Sequence, residues 1–228
     1  MKTSSHGQHL FKLTRLGAVN AYLVREDDGF TLVDTMFPGS HKGILQAAES
    51  LGAPVVRIAL THAHGDHVGS VDALARALPG AEVSISRRDA RFLTGDRSLD
   101  PGEPRSKLRG GYPKLGTKPG RLLEPGERVG SLEVVASPGH TPGHVAFLDA
   151  RDRTLIAGDA LLTLGGVATP ASRHPRFPLV AMSTWDKPTA IESARALRAL
   201  DPSRLAVGHG RVVEAPGEAI DRAIAEVA

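Results

Sequence analysis

Hydrophobic and polar positions along this chain change period several times, and each change predicts an element. Asn20 to Arg25 and Phe30 to Asp34 run apolar or alternating on either side of Glu26-Asp27-Asp28-Gly29, the pattern of a β-hairpin with an acidic, glycine-ended turn. From His41 to Leu51 the period becomes helical: Ile44, Leu45, Ala48 and Leu51 share a face, Ser40 stands at the N-cap position and Gly52 at the stop. Val55 to Leu60 reads as a buried strand. The helix after it has the stripe Val68, Val71, Leu74, Ala75 and Leu78, starts at Asp66 and His67, and ends at Pro79-Gly80. Further strands are predicted at Glu82 to Ser86, Leu132 to Ala136, Val145 to Leu148, Thr154 to Ala157 and Leu205 to Val207. Helices are predicted over Pro188 to Leu200, with Asp186 near its start, and Gly217 to Val227. Met1 to Gln8 is polar and reads as a loose lead-in. Strands followed by a helix, twice over, imply an α/β arrangement with helices covering sheets.

Composition narrows the picture. A chain of 228 residues, 41% hydrophobic and 23% charged, can bury one substantial core, so one domain over residues 1–228 is expected. There is no run of 18 apolar residues and no charged-then-apolar leader, which predicts a cytoplasmic protein without a membrane partner. The absence of cysteine removes disulfides, a thiol nucleophile and thiolate ligands together. Between Arg87 and Arg121, ten Lys and Arg residues stand against Asp89, Asp96, Asp100 and Glu103. That stretch reads as a solvated basic face, with attraction of an anionic small-molecule substrate as its functional alternative. It lacks the interleaved aromatics of a single-strand-binding platform, so no nucleic-acid partner is expected.

The candidate chemistry is concentrated in Thr61-His62-Ala63-His64-Gly65-Asp66-His67. In an extended segment residues i and i+2 point the same way, so His62 and His64 can grip one metal ion. Asp66 and His67 point elsewhere and can serve a second ion, at the spacing of about 3.5–4 Å that two-metal hydrolases use. Partners to complete both shells stand where apolar runs end. His140 lies in Ser137-Pro138-Gly139-His140-Thr141-Pro142-Gly143-His144, Asp159 follows Leu155-Ile156-Ala157-Gly158, and His209 follows Leu205-Ala206-Val207-Gly208. Ligands at strand ends are held by rigid elements. His6, His9, His41 and His174 stand alone and are given no role, and Asp34, before a turn, can serve as a local loop cap. Thr163 to Trp185, with Pro170, Phe177, Pro178, Leu179, Met182 and Trp185, is read as an apolar pocket lining or a loop packed on the core.

On these residues the chain resembles the metallo-β-lactamase superfamily, whose His-x-His-x-Asp-His signature stands here as His62, His64, Asp66 and His67. The resemblance spans roughly residues 18 to 213. It implies a four-layer αββα sandwich, two β-sheets flanked by helices. It assigns His62, His64 and His140 to one metal ion and Asp66, His67 and His209 to a second, with Asp159 as the bridge. The family's ligand in the Thr-Pro-Gly turn is the first histidine, so His144 is expected to pack or hydrogen-bond behind the ligands, and Asp34, which matches a family aspartate near the site, to support it or cap a loop. It implies two divalent ions, zinc first, with Mn, Fe or Co also compatible with such ligands. A hydroxide between them would attack a carbonyl at neutral pH, and Asp66 would pass the proton to the leaving group. Within the superfamily, Asp159 argues against drug-hydrolysing β-lactamases, and Leu162 stands where signal lactonases often carry tyrosine. His64 excludes the flavin-partnered diiron reductases. Only about 20 residues follow His209, too few for the added helical domain of dedicated glyoxalase II thioesterases. What is left is a compact, glyoxalase II-like hydrolase of a small ester, lactone or thioester. The rivals are a metal-dependent phosphodiesterase or nuclease, a mononuclear iron sulfur dioxygenase, and a non-catalytic binding relative.

Overall fold

Side-chain alternation along the strands decides how the layers stack. A computed structural model describes residues 1–172 and 178–227. Its first half runs β1 (Lys2–His6), β2 (Leu10–Arg15), β3 (Val19–Glu26), β4 (Gly29–Val33), α1 (His41–Ser50), β5 (Val55–Leu60), α2 (Gly65–Val68), α3 (Val71–Ala77), β6 (Glu82–Ser86), α4 (Arg87–Thr94) and β7 (Arg121–Leu123). The second half runs β8 (Arg128–Val129), β9 (Leu132–Ala136), β10 (Val145–Asp149), β11 (Thr154–Ile156), α5 (Leu179–Ser183), α6 (Lys187–Ala199), β12 (Arg204–Ala206), β13 (Val213–Glu214) and α7 (Gly217–Ala225). One sheet holds β1 to β7 in chain order, antiparallel as far as β4 and parallel from there. The other has the order β13-β12-β11-β10-β9-β8, with β11 and β12 parallel and its other pairs antiparallel.

On β3, Tyr22 and Val24 enter the layer between the sheets beside Val33, Ala59, Val134 and Phe147. Ala21 and Leu23 face the other way, into a cluster with Ile44 of α1, Leu74 of α3 and Phe92 of α4. Strand β10 follows the same period of two: Val145 and Phe147 point inward, while Ala146 and Leu148 pack with Leu197 of α6 and Ile220 of α7. Helix, sheet, sheet, helix is the four-layer sandwich that the resemblance implies.

Several local expectations need correction. Residues 1–8 are not a loose lead-in, because Lys2–His6 form β1 and pair with β2 from Lys2↔Thr14 to His6↔Leu10. Backbone pairing holds this segment, and polar side chains do not advertise it. The single helix predicted from Asp66 to Leu78 is two. The His67 carbonyl, which would accept from Val71 in a continuous helix, accepts instead from Thr35 N at 2.6 Å and Thr35 Oγ1 at 2.8 Å. Ser40 precedes α1 without capping it, since its hydroxyl donates to Phe37 O at 2.8 Å. Asp186 does cap α6, accepting from Thr189 N at 3.1 Å. Phe177 and His174 lie outside the described residues. Among the described residues no helix is long and apolar enough to cross a membrane.

The parallel strands β4 and β5 of one sheet and β11 and β12 of the other end on the same side of the sandwich, as does the turn from β9 to β10. Val145 N donates to Thr61 O at 2.9 Å and ties the two sheets together there.

Candidate metal centre

All seven residues singled out in the sequence meet at this end. His62, His64, His67, His140, Asp159 and His209 are buried, and the Asp66 side chain is the most open at 28%. Their ligand-type atoms fall into groups whose members lie within 4.8 Å of one another: His62, His64 and His140; Asp66, His67 and His209; and His62, His67 and Asp159, which joins them.

Outer hydrogen bonds decide which ring nitrogen of each histidine faces the centre. Thr61 Oγ1 donates to Asp34 Oδ2 at 2.8 Å, so it accepts from His62 Nδ1 at 2.9 Å, and Nε2 is left as a lone pair pointing inward. His67 Nδ1 donates to the same Asp34 Oδ2 at 2.8 Å. His140 Nδ1 lies 3.1 Å from Thr184 Oγ1, which itself donates to Val180 O, so the ring donates here too. His64 Nε2 donates to Arg109 O at 3.0 Å, and His209 Nδ1 to Ala18 O at 3.1 Å. Each ring therefore commits its N–H outward. His64 Nδ1 and His140 Nε2 then face each other at 3.0 Å as two acceptors, a contact that calls for a cation. His62 Nε2, His67 Nε2 and Asp159 Oδ1 are buried and make no hydrogen bond, the last two meeting only as an ion pair at 3.4 Å. Orphaned atoms of this donor set are what a metal ion satisfies, and the centre is consistent with a dinuclear metal site.

Charge divides the centre. Burial holds His62 and His140 well below the ordinary histidine range and lowers His64 to about 4, so these three rings are neutral. Burial also pushes His67 down, but Asp159, Asp34 and Asp66 outweigh it and raise the ring well above its ordinary value. In His209 burial is overcome by Asp159 and Asp66, and the ring rises to about 9. Asp66 and Asp159 are resisted by burial yet held low by His67 and His209, so both are ionised. Asp159 spans the halves, with Oδ1 3.4 Å from His67 Nε2 and Oδ2 3.4 Å from His140 Nε2 and 3.2 Å from His209 Nε2. Asp66 Oδ2 lies 3.2 Å from His209 Nε2.

The surroundings sort the remaining sequence readings. His144 supports rather than joins the cluster: its Nδ1 meets Ser137 Oγ at 2.8 Å and its Nε2 accepts from Asp159 N at 3.1 Å. Asp34 orients His67 directly and His62 through Thr61. Gly208 must be glycine, because a Cβ there would come 2.2 Å from Asp159 Oδ1 and 2.6 Å from His67 Cε1. Sequence reasoning missed Thr184, the Arg109 carbonyl and the buried Asp89. The first two act through an isolated hydroxyl and a backbone atom, which leave no motif.

A pocket of about 340 Å³ opens onto the centre, with His64, Asp66, His140, Asp159 and His209 in its wall. Apart from Ser183 the rest is apolar, with Leu16, Val19, Phe37, Leu179 and Val180 its larger side chains. Of the Thr163 to Trp185 segment, Leu179 and Val180 line this pocket, whereas Met182 and Trp185 line a neighbouring cleft with Lys107 and Arg109. Much of the basic stretch is engaged elsewhere: Arg88 with Glu103 at 2.6 Å, Arg91 with Asp100 at 2.9 Å, Arg87 with Glu124 at 2.5 Å and Arg121 with Glu127 at 3.4 Å.

A buried histidine and aspartate centre at the strand ends of an αββα sandwich defines a class of metalloprotein. The sequence model of the metallo-beta-lactamase superfamily matches residues 14–209, and the chain belongs to that superfamily. It is 51% identical over 207 residues to an uncharacterized protein, YobT, of Bacillus subtilis (strain 168), covering 90% of this chain and 89% of that one. It is 31% identical over 229 residues to a hydroxyacylglutathione hydrolase of Acidiphilium cryptum (strain JF-5), covering 94% and 82%. Among solved structures it is similar to TTHA1623 in a di-iron-bound form, with 31% identity, a TM-score of 0.65, and 91% and 95% of the two chains covered.

Proposed function

We propose that this chain is a dinuclear metal-dependent hydrolase that cleaves a small ester, lactone or thioester. The observation that carries the reading is the convergence of oriented, partly orphaned nitrogen and oxygen atoms in the wall of an apolar pocket. On this reading His62, His64 and His140 hold one ion, Asp66, His67 and His209 hold the other, and Asp159 lies between them. Two divalent ions would lower the pKa of a bound water towards about 7 and polarise a carbonyl oxygen. Asp66 is ionised and borders the pocket, so it can take up a proton on the open side and return it to a leaving group. Leu16, Phe37 and Leu179 suit a neutral, apolar group beside the scissile bond. The likeness to a hydroxyacylglutathione hydrolase supports thioester or ester chemistry, and the di-iron form of TTHA1623 supports two ions and sets iron beside zinc as a candidate.

The test combines elemental analysis with a panel of lactones, aryl esters, thioesters, a cephalosporin and a phosphodiester, assayed with metal-supplemented protein. Close to two ions per chain, chelator-sensitive turnover and esters, lactones or thioesters at the head of the panel are expected. A phosphodiester turned over faster than every ester, or less than one ion per chain after supplementation, overturns the reading.

A further inference from the structure

Asp89 is a carboxylate in the first turn of the arginine-rich helix α4, yet its side chain is completely buried. Ser86 starts that helix by accepting from Asp89 N at 3.1 Å, which aims the carboxyl group inward. There it joins two loops that are distant in the chain. Oδ2 accepts from Ala63 N at 3.0 Å and from Thr141 Oγ1 at 2.7 Å, and Oδ1 accepts from Gly143 N at 2.7 Å. Ala63 is the residue between His62 and His64, and Thr141 directly follows His140. The fit is close on the far side as well, since a Cβ at Gly143 would come within 2.7 Å of Asp89 Oδ1 and 2.5 Å of Asp89 N.

We infer that Asp89 is a positioning residue for one half of the metal centre: it fixes the spacing between the His62/His64 pair and His140, and through it the affinity of the ion those three hold. The inference rests on the dinuclear reading above. All three contacts fall on the loops of this half. The other half is held by different groups: His67 by Asp34, His209 by the Ala18 carbonyl, and Asp66 by the first turn of α2. All three donors to Asp89 are neutral, and burial pushes its carboxyl up to about 6. A negative charge kept at such a cost beside a cation site favours the loaded state. A purely structural clamp would weaken the whole chain without choosing between the ions.

The discriminating experiment is a Zn(II) titration of metal-free full-length protein by calorimetry, repeated with Co(II) absorption, on wild type, Asp89→Asn and Thr141→Val. His140→Ala and His209→Ala serve as references that identify which binding step belongs to which half. Asparagine keeps the shape but turns an acceptor into a donor facing N–H or O–H groups. It should weaken the His140-dependent step on the order of tenfold or more and leave the His209-dependent step unchanged. Thr141→Val, which removes one of the three contacts and is the fallback should Asp89→Asn not fold, should shift the same step by less. Equal weakening of both steps, selective loss of the His209-dependent step, or no shift in either overturns the inference. If wild type takes up a single ion, the dinuclear reading fails while the shift in that step still tests Asp89; if it takes up none, both fail.

Discussion

Three imidazoles make up one half of the centre, and two imidazoles with a carboxylate make up the other, so protons distribute between them unequally. In the first half, His62, His64 and His140 are buried and neutral, and two ring nitrogens face each other as acceptors. In the second, Asp66 and Asp159 draw protons onto His67 and His209. The first half is ready for a cation, whereas the second must release protons before it takes one. On the proposed reading, one of the carboxylates that hold those protons, Asp66, would also serve proton transfer.

The largest expected effect follows from that capacity. Asp66 combines ligand geometry with access to the pocket, so Asp66→Ala should lower kcat on the order of 10³-fold. The fold should survive, because the side chain lies at a helix start with 28% exposure. Near-normal turnover in folded, metal-loaded Asp66→Ala protein assigns proton transfer elsewhere and removes the functional difference between the halves.

Asp34 crosses the divide, touching His67 directly and His62 through Thr61. Its φ of 62° is a conformation asparagine tolerates, so Asp34→Asn tests the hydrogen bonds with little added strain. Both metal-binding steps should weaken by roughly 10- to 100-fold, in contrast to the one-sided effect expected at Asp89. Loss confined to one step would show that Asp34 serves that half alone.

How much of this was legible in the sequence depends on how far each function is local. The signature from His62 to His67 is contiguous, and His140, Asp159 and His209 each follow an apolar strand, so all seven could be named before any coordinates. Asp34 and His144 were legible as supports through the resemblance: Asp34 matches an aspartate near the family's site, and His144 is the second histidine of the turn whose first is the expected ligand. Asp89 was not: Arg-Arg-Asp-Ala-Arg reads as part of a solvated basic face, and only the packing of α4 against two remote loops turns one residue inward. The Arg109 carbonyl has no side-chain signal at all. At the level of the fold, long periodic strands and helices were readable, while β7, β8 and β13, at two or three residues each, are too short to show a period. The break between α2 and α3 depends on Thr35, over thirty residues away from it in sequence.

A smaller effect sharpens the comparison through pH. In the metal-free chain His209 holds its proton up to about pH 9. Zinc affinity of the His209-dependent step should therefore fall about tenfold per pH unit below that value for each proton displaced. The His140-dependent step should stay nearly flat down to about pH 6, where Asp89 begins to lose its charge, and fall further as pH approaches 4, where His64 protonates. The sign for stability runs the other way. A histidine whose folded pKa is raised stabilises the metal-free fold below its unfolded value near 6.5, and that contribution is lost as pH rises through about 9. Calorimetric titrations at pH 6, 7 and 8, with thermal unfolding of metal-free protein from pH 6.5 to 9.5, check both signs. Parallel pH dependence of the two binding steps would erase the distinction between the halves.

The smallest effect concerns the pocket wall rather than the ions. Leu16 sits at the tip between β2 and β3 with φ of 53° and is 81% exposed, an unusual position for a leucine with no contact to maintain. Because it lines the pocket together with the apolar Leu179 and Val180, a substrate with an apolar chain would cover it on binding. Leu16→Ala should then cost about 1 kcal/mol of binding, raising KM roughly fivefold with kcat unchanged, and unfolding should not move because little of the side chain is buried in the free protein. A short-chain ester that does not reach the tip should lose nothing, which separates contact from a general disturbance of the hairpin. Equal losses for long and short esters would mean that Leu16 acts on the hairpin and not on substrate. If kcat/KM for a carboxylate-bearing ester instead exceeds that of the apolar one and falls with added salt, the neighbouring cleft with Lys107 and Arg109 sets specificity, since only exposed charge attraction is screened over about 8–10 Å.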